Sequence, residues 1–308
     1  MRSGSSFTGE LFNLHPEVFY MYEPLRIGSD SGCSPETKIE RKQILEKYLN
    51  CEFVSLNSST GISDFKGNFP FRQKHARLCQ PPFCHSDFSS DPQQCYSHCP
   101  DVNLEQAANV CSRTLPVIKT IRLCDLELLQ DSAEKYSENL KIIILVRDPR
   151  GIFNSRRQVM THLNHEELLN NIKWTCRHNI KNLKDMKTES WLNKTNSIRI
   201  YRFEDIALNP AEMAENIFNF CGLNISDSIL NWISDNTRQN SGGVYSIHKN
   251  STNVAFKWRH ELKKNEILDI QKDQICGQFF ELFGYKIMKE NEIENLTETS
   301  FISEFKLN

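Results

Sequence analysis

Long apolar runs are missing from this sequence. None of its 308 residues belongs to a stretch of about 18 consecutive apolar positions, so no membrane-crossing helix is expected, and no secretory leader opens the chain. Excess charge of one sign is missing too. The formal net charge is -2 and the pI is near 6.5, which speaks against a protein whose whole surface follows nucleic acid. The phosphate-loop signature G-x-x-x-x-G-K-[ST] is absent, which counts against an ATP- or GTP-hydrolysing enzyme or a kinase of that kind. There is no close-set Cys-x-x-Cys pair, no acidic cluster suited to a metal and no internal repeat.

Cysteine, by contrast, is plentiful: 11 residues, with Cys79, Cys84, Cys95 and Cys99 clustered. That clustering fits disulfides, the favoured reading, or zinc, with His85 and His98 adjacent. An odd total leaves at least one thiol unpaired within the chain. Sequons at Asn57, Asn193, Asn224, Asn250 and Asn295 support secretion only weakly in so Asn-rich a chain. Hydrophobic content of 39% and charged content of 25% are ordinary for a soluble globular protein.

The stretch that organises the rest is Lys141 to Arg157. Ile142 to Val146 is an unbroken apolar, β-branched run that predicts a strand buried on both faces of a parallel sheet. Asp148 suits a helix N-cap and Pro149 the first helical turn. Arg147 is therefore expected at the carboxyl end of a strand and Ser155 about two turns into the next helix, an arrangement suited to a phosphate. A second anion loop opens the chain: Arg2, Ser3, Gly4, Ser5 and Ser6 precede a helix predicted from Phe7. Such a loop normally follows a buried strand. None precedes it here, so a truncated chain or an incomplete gene model is expected.

Between and beyond these stretches, strands are predicted at Val18–Tyr22, Leu115–Thr120 and Ser197–Tyr201. Helices are predicted over Glu36–Tyr48, Leu126–Glu138, Glu166–Lys187 (with Leu169, Ile172, Trp174 and Cys176 near one face), Pro210–Cys221, Ile229–Asn236 and Asn265–Phe283. Residues 57–70 and 240–253 read as loops, 69–100 as an irregular cysteine-rich insertion and 289–308 as a polar tail. The alternation of strands and helices implies an α/β fold with a parallel sheet.

Taken in order, RSGSSFTGELFN, FYMYEP, LCQPPFC, VIKTIRL, LVRDPRGIFNSR, RFEDIALNP, WISDNT, KWRHEL and LFGYK resemble the motif series of the carbohydrate sulfotransferases that sulfate the 6-hydroxyl of galactose, N-acetylgalactosamine or N-acetylglucosamine. The resemblance covers Arg2 to about Met288. It implies a P-loop-like sulfotransferase fold, a central parallel sheet flanked by helices, here without its first strand, spanning 1–288. It further implies 3′-phosphoadenosine 5′-phosphosulfate (PAPS) as co-substrate with no metal, a glycan acceptor on glycoproteins or proteoglycans, and no nucleic-acid partner. Location in the Golgi lumen as a type II membrane protein follows, with an N-terminal anchor this sequence does not contain. By that resemblance Arg2, Ser3, Gly4, Ser5, Ser6 and Phe7 would hold the 5′-phosphosulfate, and Arg147 and Ser155 the 3′-phosphate. Lys249 and Arg259 would add cationic contacts.

Sulfuryl transfer is an in-line displacement in which charge grows on the departing bridging oxygen, so fixed cations and N–H donors lower the barrier. Arg2 is expected to act electrostatically, because a guanidinium is a poor proton donor. The acceptor hydroxyl needs a general base. Glu23, a carboxylate at a strand end, is the first candidate and His15 the second. A catalytically inert glycan- or nucleotide-binding relative is the alternative, should the missing first strand be real.

Overall fold

The computed structural model describes residues 4–25, 37–56, 74–123, 125–136, 139–193, 197–237, 250–293 and 302. Arg2, Ser3, Lys249, Cys33, Cys124, the 57–70 loop and most of the 240–253 loop lie outside them. The chain forms two compact units, Ser6–Lys135 and Met1–Ser5 with Tyr136–Asn308.

In the first unit, helix α1 (Ser5–Asn13) leads into strand β1 (Val18–Tyr22). Gly9 lets α1 lie close on β1: a β-carbon there would stand 2.3 Å from Tyr20 Oη. Helix α2 (Lys38–Leu49) follows, then a 3₁₀ turn at Phe53–Ser55 and another at Ala76–Cys79. Next come α3 (Pro92–His98), α4 (Leu104–Cys111), strand β2 (Leu115–Lys119) and α5 (Gln130–Tyr136). Strands β1 and β2 pair in parallel, from Val18 opposite Leu115 to Tyr22 opposite Lys119.

Three bridges among the described residues staple this unit: Cys51–Cys111, Cys79–Cys95 and Cys84–Cys99. The last two settle the choice between disulfides and zinc, because a bridged sulfur has no thiolate to offer a metal. The sulfurs of Cys84, Cys95 and Cys99 lie within 4.8 Å of one another simply because the two bridges are neighbours. The described part of the 69–100 insertion is more regular than expected. Asp91 caps α3 through bonds from the Gln93 and Gln94 amides, both 3.1 Å, with Pro92 in the first turn.

The side of β1 away from β2 is satisfied by side chains. Arg77 Nε donates to Val18 O at 3.2 Å, and its Nη2 reaches Pro16 O. His75 spans two residues of the strand: Nδ1 bonds Tyr20 O, and the Tyr22 amide donates to Nε2 at 3.4 Å. A carbonyl partner fixes the proton on Nδ1, so the ring is neutral.

The second unit begins at strand β3 (Ile142–Val146) and continues through α6 (Pro149–Arg157), α7 (His165–Thr188), α8 (Ser190–Asn193) and strand β4 (Ile198–Arg202). It proceeds through α9 (Phe203–Leu208), α10 (Pro210–Phe220) and α11 (Asp227–Thr237). It closes with α12 (Ser251–Phe256), α13 (Trp258–Glu261), α14 (Lys264–Lys272) and α15 (Gln274–Leu282). Strands β3 and β4 pair in parallel, Ile142 opposite Ile198. Helix α7 packs on α6 and α15, and the Cys176–Cys276 bridge joins α7 to α15 across 100 residues. Closing so long a loop stabilises by about 4–5 kcal/mol in the chain-entropy account. Cys221 is the free thiol among the described residues.

Four expectations change. Ile143, Ile144 and Leu145 are half-buried rather than buried on both faces; among the described residues β3 pairs with β4 alone. The predicted 265–283 helix is two helices, because the Asp273 carboxylate accepts from the amides of Ile275 and Cys276 (3.1 and 3.0 Å) and starts a new one. Trp174 stands 36% exposed at the edge of the buried stripe of α7, its ring against His178. Ile39 points outward on α2 while Arg41 is buried.

Burial lowers the His75 pKa from 6.5 to about 4, the bond to Tyr20 O opposing it only in part. The unfolded chain takes up this proton first. The stability from neutral His75 is therefore complete above pH 6.5 and is lost as pH falls towards 4, by about 3 kcal/mol. Urea titrations over that window should show the loss in the wild type and a flatter profile in His75→Gln; parallel profiles would refute it.

Candidate functional site

Helix α1 starts directly after Gly4, whose φ of 77° is in the left-handed region that glycine adopts without strain. The first turn of α1 carries no acidic residue, so the amides of that turn face no carboxylate within it. Ser6 is exposed; Gly4, Ser5 and Phe7 are half-buried. One turn on, Thr8 is buried and its Oγ1 has no hydrogen-bond partner among the described residues. A helix N-terminus with no acidic residue in its first turn, a glycine that permits close approach and a buried hydroxyl with no partner among the described residues together fit an oxyanion.

In the first unit Glu23 ends β1. It is buried, and it is one of the two non-glycine residues with positive φ among the described residues, at 54°. Such a conformation costs about 1–3 kcal/mol and persists only where its surroundings enforce it. Here the enforcement is electrostatic. Lys119 Nζ lies 2.5 Å from Oε1, while Arg122 Nη1 and the Ile121 amide donate to Oε2 at 2.6 and 3.2 Å. The Glu23 amide donates to Lys119 O at 2.7 Å, continuing the strand pairing. Burial lowers the Lys119 pKa, against the pull of Glu23. Both carboxylate oxygens are thus engaged, so a hydroxyl handing its proton to Glu23 must share or displace one of these donors. His15 is buried in the turn before β1, with Nδ1 accepting from the Glu17 amide at 3.2 Å.

In the second unit Arg147 ends β3 and is buried. Its guanidinium carbon lies 4.4 Å from the centre of the Phe203 ring, and Nη2 donates to Val254 O at 2.9 Å. Asp148 caps α6 through the Arg150 amide at 2.8 Å. Ser155 is half-buried in the second turn of α6, and Arg259 is buried with its guanidinium over Phe256.

Behind Arg147 lies a buried polar network. Arg150 grips Asp148 with two parallel bonds, Nε to Oδ1 at 2.9 Å and Nη2 to Oδ2 at 2.6 Å. Its Nη1 donates to Gln271 Oε1 and Lys286 O at 2.7 and 3.1 Å, and the rings of Trp258 and Phe280 flank the guanidinium. Glu204 accepts from the Asp148 amide at 3.1 Å and from Tyr285 Oη at 2.7 Å. Burial first, and the Asp148 charge second, raise the Glu204 pKa from 4.5 to about 7. Arg202 pairs with Asp205 and donates to the carbonyls of Phe283 and Gly284, both 3.2 Å. Four motifs separated in sequence, VRDPR, RFED, KWR and LFGYK, thus meet in one place.

Sequence reasoning placed Arg147 and Glu23 at strand ends and missed Thr8, Lys119, Arg150, Phe203 and Glu204 as members of these clusters. A signal existed: polar residues inside otherwise apolar motifs, Arg202 and Glu204 in RFEDI and Tyr285 in LFGYK, are buried here with partners.

Loss of the Asp148 partner is expected to be severe. Arg150→Met should cost about 3–5 kcal/mol, because it leaves a buried carboxylate uncompensated. Folded Glu204 takes up a proton near pH 7 that the unfolded carboxyl takes only near 4.5, so its contribution to stability rises as pH falls through that interval. Glu204→Gln should remove this rise, as read from chemical denaturation between pH 4.5 and 7.5; an unchanged slope would contradict the assignment.

Residues 1–284 match the sulfotransferase domain family. The chain is 30% identical to mouse carbohydrate sulfotransferase 1 over 96% of its length and 80% of the relative's. It is 29% identical to rat carbohydrate sulfotransferase 3 over 94% and 67%. Among solved structures, the sulfotransferase domain of a Synechococcus olefin synthase superimposes with a TM-score of 0.53 at 19% identity, covering 93% of this chain and 92% of that one, a likeness of fold.

Proposed function

Starting from the premise that this chain belongs to the sulfotransferase domain family, and within it to the carbohydrate sulfotransferases, we propose that it sulfates the 6-hydroxyl of galactose, N-acetylgalactosamine or N-acetylglucosamine in a glycan. It is an enzyme that moves a sulfuryl group to carbohydrate, and the family implies PAPS as donor. One observation carries the reading of the donor site. Within a single compact unit, Gly4 at the head of α1 and Arg147 at the end of β3 both pack on Phe203. Two anion-seeking ends on one platform suit a nucleotide phosphorylated at both its 5′ and 3′ positions.

The roles follow from the groups. The amides and hydroxyls from Ser3 to Phe7 receive the 5′-phosphosulfate, and the Thr8 hydroxyl adds a donor the motif did not suggest. Arg2 holds a permanent positive charge where the departing oxygen gains electrons. Arg147 and Ser155 bind the 3′-phosphate; a guanidinium fork matches its oxygens. Glu23 accepts the hydroxyl proton as the new sugar oxygen–sulfur bond forms and the sulfur–oxygen bond to the 5′-phosphate breaks. Lys119 and Arg122 hold that carboxylate in the orientation its strained backbone presents. The residues invoked use no metal. The four disulfides among the described residues fit an oxidising compartment, and the family resemblance supports the Golgi lumen as that compartment.

The test follows labelled sulfate from PAPS to a panel of galactose-, N-acetylgalactosamine- and N-acetylglucosamine-terminated glycans. Transfer to one sugar class, with the label released on 6-O-desulfation, is the expected result; label at another ring position would overturn the 6-hydroxyl assignment. Glu23→Gln should lower kcat by about 10²–10⁴-fold with binding of 3′,5′-adenosine bisphosphate retained. Arg147→Ala should instead raise the KM for PAPS. Near-normal turnover of Glu23→Gln would remove Glu23 as base.

A further inference from the structure

The geometry points to Phe203 as a positioning residue that sets the spacing between the two anion-binding ends; the inference rests on the nucleotide reading above. Phe203 opens α9, directly after β4, and is half-buried. Its ring is touched from two directions. A β-carbon on Gly4 would fall 2.2 Å from Phe203 Cδ2, so the chain entering α1 runs directly against the ring edge, with no room for any side chain between. On the ring's face sits the Arg147 guanidinium, its carbon 4.4 Å from the centroid, a distance at which cation and π-cloud attract.

The ring cannot drift to accommodate either neighbour. It packs against Ala207, Ala255 and Phe256, a buried cluster joining α9 to α12. The residue before α12's Ala255, Val254, takes a hydrogen bond from Arg147 Nη2 through its carbonyl at 2.9 Å. The far side of the guanidinium is therefore tied to the same helix that backs the ring. Arg147 is held in a bracket made of Phe203 and α12, and the Gly4 turn rests on the same bracket.

The consequence is selectivity rather than packing alone. A ligand with one phosphate needs one end of this arrangement and tolerates a shift of the other. A ligand with phosphates at both ends needs both at a fixed separation, so it alone is sensitive to the ring that spaces them. A leucine or methionine in place of Phe203 fills similar volume yet offers no π-face to the cation.

Isothermal titration of the full chain with 3′,5′-adenosine bisphosphate and with adenosine 5′-monophosphate tests this. The wild type is expected to prefer the bisphosphate. Phe203→Leu should weaken bisphosphate binding by about tenfold, as loss of a partly desolvated cation–π contact would, while changing monophosphate binding by less than about threefold on the same scale. Phe203→Tyr should restore the preference. Combining Phe203→Leu with Arg147→Lys should give less than the product of the two separate losses, since both act through one guanidinium. Should Phe203→Leu fail to fold, Phe203→Met serves in its place. Equal weakening of both nucleotides would reduce Phe203 to a packing residue and overturn the inference. A wild type with no preference for the bisphosphate would sink the donor-site reading, and this inference with it.

Discussion

Arg150 is shut away from water, yet its guanidinium has its charge answered and its donors directed: two bonds to Asp148, others to Gln271 and the Lys286 carbonyl, with an aromatic ring on either side. The larger unit depends on this interaction. A buried ion pair of this kind contributes little net free energy, because desolvation offsets attraction, but removing either partner strands the other. Its value lies in geometry. Asp148 at once caps α6, holds Arg150 and presents its amide to Glu204, so the end of β3 has one conformation. Arg147, one residue earlier, inherits that fixity. The LFGYK motif, around Tyr285, is recruited to the same network, which explains how residues some 140 positions apart in sequence come to support one strand end.

The smaller unit solves the same problem differently. Glu23 is also placed at a strand end, but by a strained backbone and two cations instead of a capped helix. The three disulfides among its described residues add rigidity that a pair of strands lacks by itself. Cys51 shows how closely the two devices are joined. It takes the left-handed conformation that ends α2, at φ 58°, a place usually given to glycine, and its side chain is the one bonded to Cys111 on α4.

Much of this was legible in the sequence, and for identifiable reasons. Ile142 to Val146 could hardly be anything but a strand, and Asp148-Pro149 could hardly fail to start a helix, because each is a local preference that tertiary structure reinforces. The order of motifs made the family recognisable. What escaped was whatever depends on a distant partner. Nothing local says that Asp273 will split a helix, that Trp174 will face outward, or that Glu204 will meet Tyr285. The spacing role of Phe203 was equally hidden, for it exists only once Gly4 and Arg147 arrive at the same ring. Glu23 was foreseen by its position, but not its two cations, which come from the end of β2 and the chain just after it, 96 and 99 residues away.

His75 and Arg77 have one more effect. A strand with an open side presents a row of amides and carbonyls that any other extended chain can extend into a larger sheet, and among the described residues β1 pairs with β2 alone. Here Val18 O, Tyr20 O and the Tyr22 amide are already spent on a guanidinium and an imidazole. Side chains end the sheet without lengthening it, leaving no template for a second molecule to dock its own strand. The same segment is leashed by Cys79–Cys95, so the guard cannot swing away while that bridge is closed. The side chains that occupy this strand edge and the cysteine that closes the bridge thus belong to one short stretch, His75 to Cys79.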